Sequence, residues 1–209
     1  MFVFFLVFAS LGDQMMEYKL YQNECIKLNC SSHSLTDFQQ RQSFFLRLFG
    51  WDCISECQYQ SQWTILRELK ELEISIVPQF HGKWTFYRFL GIQEPASFFF
   101  SILNLYTNIK TLNDYKNLEV NYDEMSSVYK VQSYFAINAW IWSMVYHARE
   151  SKITEYFDYF FAYSVALFSL YEILIKWLFE ARIKLSNRTL INFSIPFFAM
   201  YCYHFYFLF

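Results

Sequence analysis

Ser143 and His147 stand four residues apart at the end of the stretch Trp140-Ile141-Trp142-Ser143-Met144-Val145-Tyr146-His147, with Thr154-Glu155 and Asp158 following. On a helix that spacing puts the hydroxyl and the imidazole on one face. A hydroxyl donor, an imidazole and a carboxylate suit hydrolysis by metal-activated water: His147 as a zinc ligand, Asp158 to orient or deprotonate the water, Ser143 to donate a hydrogen bond. A serine-hydrolase triad fits less well, because the chain has no G-x-S-x-G elbow. The bland reading also stands on spacing alone. A His and an Asp at helix ends can sit in a headgroup layer, and a membrane-helix Ser often bonds its own i−4 carbonyl.

Composition says which elements must hold these groups. Of 209 residues, 55% are hydrophobic and 23% aromatic, with 26 Phe and only 4 Gly and 3 Pro. So many large rings exceed what a soluble core of this length takes in, whereas lipid-facing helices accept them. The net charge of −2 and the lack of a basic patch exclude a nucleic-acid partner. Four apolar stretches, at about 90–109, 131–147, 157–179 and 190–209, approach the length of a bilayer crossing. In hydrocarbon an open-ended span must be a helix, so the expected fold is an all-α polytopic membrane protein of about four transmembrane helices.

Orientation follows from charge. Lys176, Arg182, Lys184 and Arg188 surround Glu180 after the third stretch, which marks that loop as cytoplasmic. The loop 147–156 and the N-terminal segment are then luminal, and the Asn187 and Asn192 sequons stay unmodified. Ser143, His147 and Asp158 gather at the luminal ends of two adjacent helices. Ionisable groups there point by default to a partner, cavity or metal.

The expected organisation is a signal peptide over 1–10, with Ala9, Ser10 and Gly12 near the cut, a luminal segment over 11–89, and the transmembrane domain over 90–209. Cys25, Cys30, Cys53 and Cys57 all fall in the luminal segment, while Cys202 reads as a small buried hydrophobe. An even set behind a leader favours disulfides. The rival four-cysteine zinc site has the less usual C-x4-C and C-x3-C spacings. Asn29 opens a glycosylation sequon, Asn29-Cys30-Ser31. Residues 63–73 show a helical pattern. Glu94 precedes Pro95 at a helix start, where a carboxylate favours the dipole, and His204 reads as an interface residue.

Several motifs carry a resemblance. Gln79-Phe80-His81-Gly82-Lys83-Trp84, Gly91-Ile92-Gln93-Glu94-Pro95-Ala96-Ser97, Phe100-Ser101-Ile102-Leu103-Asn104, Trp51-Asp52-Cys53 with Glu56-Cys57, and Asn138 through His147 with Asp158 lie in one collinear series. Together they resemble the family of post-GPI-attachment-to-proteins factor three, part of a superfamily of seven-helix membrane hydrolases with alkaline ceramidases and adiponectin receptors. The resemblance implies a zinc-dependent phospholipase that removes the sn-2 acyl chain from GPI-anchored proteins at the luminal face of the Golgi membrane, with the endoplasmic reticulum as the other location. It makes Ser143 and Asp158 catalytic, His147 a zinc ligand, and His81 a contact for glycan or phosphate, against a plain turn at Gly82. The family's usual cysteines at positions 21 and 61 are here Tyr21 and Ser61. Their joint loss removes one bridge and leaves Cys25 and Cys30 to pair with Cys53 and Cys57. The family pattern continues past Phe209 with three helices and an H-x3-H pair. The chain therefore reads as a C-terminally truncated member with an incomplete zinc site, either a hydrolase once completed or a non-catalytic binder of GPI lipid or a membrane partner.

Overall fold

The computed structural model describes residues 10–117, 124–181 and 187–208. The leader expected over 1–10 lies outside them except for Ser10, as do Arg182 and Lys184 of the basic loop and Phe209 of the last expected span. Two compact units divide at Gly91 and Ile92.

In the first unit, α1 (Leu11–Gln14), α2 (Met16–Asn29), α3 (Leu35–Arg41), α4 (Phe44–Leu48) and α5 (Cys53–Glu71) are followed by an extended stretch with one antiparallel bridge between Phe80 and Lys83. The helical pattern read over 63–73 is the C-terminal part of α5. That helix begins ten residues earlier because the Asp52 carboxylate accepts from the Ser55 amide at 2.7 Å, satisfying one of the amides that a helix start leaves without a partner. Its helical face buries Cys53, Cys57, Ser61 and Ile65, four residues apart from Cys53 onward, as a one-face stripe requires.

Disulfides Cys25–Cys57 and Cys30–Cys53 join α2 to α5, with Cα separations of 5.6 and 5.7 Å. The antiparallel register they set puts Tyr21 and Ser61 at the next rung. The two positions therefore belong to one rung of the same helix pair. Tyr21 instead packs against the cluster of Tyr18, Ile65 and Phe80 and donates its hydroxyl to Glu68.

Gly12 has no room for a side chain. Its amide donates to the Gln79 carbonyl at 2.9 Å, and a Cβ there would stand 2.5 Å from the Phe80 ring and 2.6 Å from Gln79 O. Gly12→Ala is therefore expected to destabilise the first unit by about 1–3 kcal/mol through overpacking, read as a lower urea midpoint for the purified chain in micelles.

In the second unit, α6 (Pro95–Asn117), α7 (Glu124–Ala148), α8 (Lys152–Glu180) and α9 (Asn187–Leu208) pack in sequence, each on the next. They run past the expected apolar stretches because a helix continues into its polar ends. Only the start of the first moves inward, to Pro95, whose fixed φ and missing N–H suit the first helical position. Among the described residues, α8 is the one helix long and apolar enough to cross a membrane by length and composition. Asn104, Thr107, Asn108 and Lys110 break the apolar surface of α6. At one end of the unit Met125, Ile175 and Leu178 form a buried cluster with Leu190 and Phe193 against it. At the other end Trp142 stacks on Phe157, with centroids 4.3 Å apart.

Candidate functional site

The end of α7 carries the polar groups. The Ser143 hydroxyl receives a hydrogen bond from the buried Ser101 of α6, 3.4 Å away, while the Ser101 Oγ also lies 2.8 Å from the Ser97 carbonyl. One turn on, His147 Nδ1 is 2.8 Å from Glu94 Oε2, with side-chain exposures of 21% and 11%. The backbone repeats the pairing: the Gln93 and Glu94 amides donate to the Ala148 and His147 carbonyls, each at 3.0 Å. The Gln93 side chain donates to Glu150 Oε2 and accepts from the Glu150 amide, both at 2.9 Å. Consecutive residues before α6 thus clasp consecutive residues at the end of α7.

Asp158 lies in the second turn of α8. That helix starts with a capping box, in which Ser151 and Thr154 each accept from the other's backbone amide. The neighbours of Asp158 fix its turn against α7: Phe157 stacks on Trp142, and Tyr159 meets Tyr146 at 6.4 Å. Asp158 is half-buried there. The structure therefore couples Ser143 to Ser101 and His147 to Glu94, and sets the Asp158 turn beside the same stretch of α7.

The sequence did not pair Glu94 with His147. It does stand at the helix start, where its carbonyl receives the Phe98 amide at 3.0 Å, but its carboxylate reaches across to the imidazole. No periodic signal links positions 53 residues apart. The one cue was a carboxylate placed directly before a proline that opens a helix.

His81 belongs to the first unit. Its φ is +51°, and its amide donates to both Asp13 carboxylate oxygens at 3.0 Å. Its Nε2 is 3.1 Å from the Tyr18 hydroxyl. Burial pushes the Tyr18 hydroxyl up to about 12, with a smaller opposing effect from its hydrogen bond to Gln62, so it stays neutral. These contacts give His81 a turn-building role. Asn29, the sequon residue, ends α2 and donates its side-chain amide to the Cys25 carbonyl at 3.1 Å.

Among the described residues, the group of three side chains close enough to hold a metal is Cys30, Cys53 and Cys57. All three are consumed in disulfides, which removes the thiolates a four-cysteine zinc site needs. At His147 the Glu94 contact engages Nδ1, so Nε2 is the nitrogen outside that contact. No set of three donors gathers there among the described residues, so they do not hold a zinc ion by themselves.

An apolar cleft of about 520 Å³ opens between α7, α8 and α9, lined by Val131, Phe135, Leu167, Phe168 and Phe197 among others. Phe135 lies eight residues before Ser143, roughly 12 Å along the helix.

The model of the Per1-like family matches residues 43–209. The GPI-specific phospholipase A2-like PGAP3 of Xenopus tropicalis is 41% identical over 166 residues, covering 79% of this chain and 52% of that protein. Post-GPI attachment to proteins factor 3 of Drosophila melanogaster is 40% identical over 178 residues, 81% of this chain and 53% of that protein. The human GPI-specific phospholipase A2-like PGAP3 is 38% identical over 163 residues, 78% and 51%. The chain spans about half the length of the curated relatives it matches. No solved structure matches it. The all-helical second unit, the disulfide-tied first unit and this match over four-fifths of the sequence agree: the chain belongs to the Per1-like family.

Proposed function

We propose that this chain carries the acyl-ester-cleaving end of a GPI-lipid-remodelling phospholipase. The substrate is the sn-2 ester of the lipid on GPI-anchored proteins, met at the luminal face of a Golgi membrane, with the endoplasmic reticulum as the other location. In this reading 1–10 is a leader, the segment 11–89 is luminal, and α6 to α9 cross the bilayer four times. The observation that carries the reading is the polar group Ser143, Ser101, His147 and Glu94, gathered at one end of α7 inside a sequence that matches proteins named as GPI-specific phospholipase A2-like.

Water attacks the acyl carbonyl carbon, the ester C–O bond breaks, and the water's proton goes to the departing alkoxide, giving a free fatty acid and a lyso-lipid. Asp158 orients the water and the Ser143 hydroxyl donates toward the oxyanion. His147 presents Nε2 toward the reacting groups. Were a zinc ion bound here, His147 Nε2 would be the ligand these residues offer, and the ion would supply an activated water. The apolar cleft between α7, α8 and α9 is of a volume that ligand pockets commonly have, and its chemistry suits the acyl chain. Asn29 carries an N-glycan in this account, and His81 contacts glycan or phosphate of the anchor.

One observation favours a second reading, in which the chain binds GPI lipid or a membrane partner without turnover: the described residues gather no set of three metal donors at His147. A chimera separates the two. Residues 43–209 replace the matching half of the Xenopus tropicalis relative in cells lacking their own enzyme, and GPI lipids are analysed by mass spectrometry. Loss of the sn-2 chain from the GPI lipid is expected. A chimera that reaches the membrane and leaves the GPI lipid unprocessed overturns the hydrolase reading.

A further inference from the structure

We infer that Glu94 is the positioning residue for His147: its carboxylate accepts a hydrogen bond from Nδ1–H, fixes the ring and its tautomer, and leaves the Nε2 lone pair as the reactive atom. The proposal deepens the reading of His147 given above and rests on it only for what Nε2 serves, whether ligand or base.

Donor and acceptor follow from chemistry. An ionised carboxylate has no proton to give, so at 2.8 Å from Glu94 Oε2 the imidazole Nδ1 must be the donor. In the neutral ring the other nitrogen is then bare. Carboxylate partners of this kind set the ring orientation and the tautomer. An unconstrained imidazole turns about two side-chain torsions. Here the partner carboxylate comes from a backbone that is itself hydrogen-bonded to the His147 turn.

The holding is built into the chain. Glu94 is fixed by its own amide on the His147 carbonyl and by that of Gln93 on Ala148. The paired Gln93 and Glu150 bonds close the clasp on the outer side. Pro95 starts α6 immediately afterwards, which limits how far the Glu94 backbone can turn. Glu94 is the more buried of the two side chains, and His147 keeps about a fifth of its exposure. The ring is therefore gripped from the covered side and open on another. A carboxylate placed only to cap α6 would have no reason to select one nitrogen of His147.

Four histidines make the test tractable. The full chain is labelled with 15N-histidine, purified in micelles at about pH 8, and its imidazole nitrogens are read by NMR, with His147→Gln assigning the signal. The Nδ1–H form is expected for His147. In Glu94→Ala the signal should move to the Nε2–H form, while Glu94→Gln, whose amide oxygen still accepts, should retain Nδ1–H. His33, His81 and His204 should be unchanged, and circular dichroism should show the helices intact. The wild-type spectrum alone decides even if Glu94→Ala fails to fold: an Nε2–H ring, or an imidazolium protonated on both nitrogens, overturns the proposal. So does a His147 signal that Glu94→Ala leaves unmoved. A chain that carries Nδ1–H, in a chimera with no acyl release, keeps this assignment and removes the hydrolase reading instead.

Discussion

His147→Ala in the chimera is expected to lower acyl release by about 10³-fold or more, the scale set by losing a general base or a key electrostatic group. The imidazole sits in the last turn of α7 with one nitrogen committed to Glu94, so the variant removes both the reactive Nε2 and the group that occupies Glu94. Membrane insertion should survive, because α7 keeps its packing through Trp142 on Phe157 and Tyr146 on Tyr159. The checks are the sn-2 composition of GPI lipid and the amount of protein in the membrane fraction. Normal processing by a His147→Ala chimera would take the imidazole out of the reaction.

The second large effect is on stability and lies in the first unit. Arg88 is buried, with 6% of its side chain exposed, and its guanidinium meets Glu56 at 2.7 Å. It also lies over the Trp51 ring at 4.1 Å and the Tyr59 ring at 3.5 Å, and its Nη1 has no hydrogen-bond partner among the described residues. The rings offset part of that desolvation, but among the described residues the Glu56 carboxylate is the neutralising charge in direct contact. Glu56→Ala should therefore cost about 3–5 kcal/mol, the penalty of leaving a buried charge uncompensated. Replacing both residues, Glu56→Leu with Arg88→Met, should cost clearly less than Glu56→Ala alone. Urea midpoints for the single and double variants in micelles test this. A double-variant loss equal to the sum of the two single losses would mean that the pair is not coupled.

The sequence by itself determined a good deal. Local patterns carry helix type and placement, so the helical second unit was legible, although boundaries shifted where polar ends continued the helix. The spacing of Ser143 and His147 is set by helix geometry and needed no tertiary information. The cysteine set before residue 60 pointed to disulfides on parity and context. What only the tertiary structure decided are the pairings between distant positions. The register of α2 on α5 selects Cys25–Cys57 and Cys30–Cys53. The meeting of the start of α6 with the end of α7 turns Glu94 from a helix-end carboxylate into the partner of His147. The fold of the first unit brings Arg88 across 32 residues to Glu56. Periodicity records which face of an element is buried, whereas the identity of the group opposite depends on how whole elements cross. That is settled by the summed packing of many side chains, none of which encodes the pairing alone.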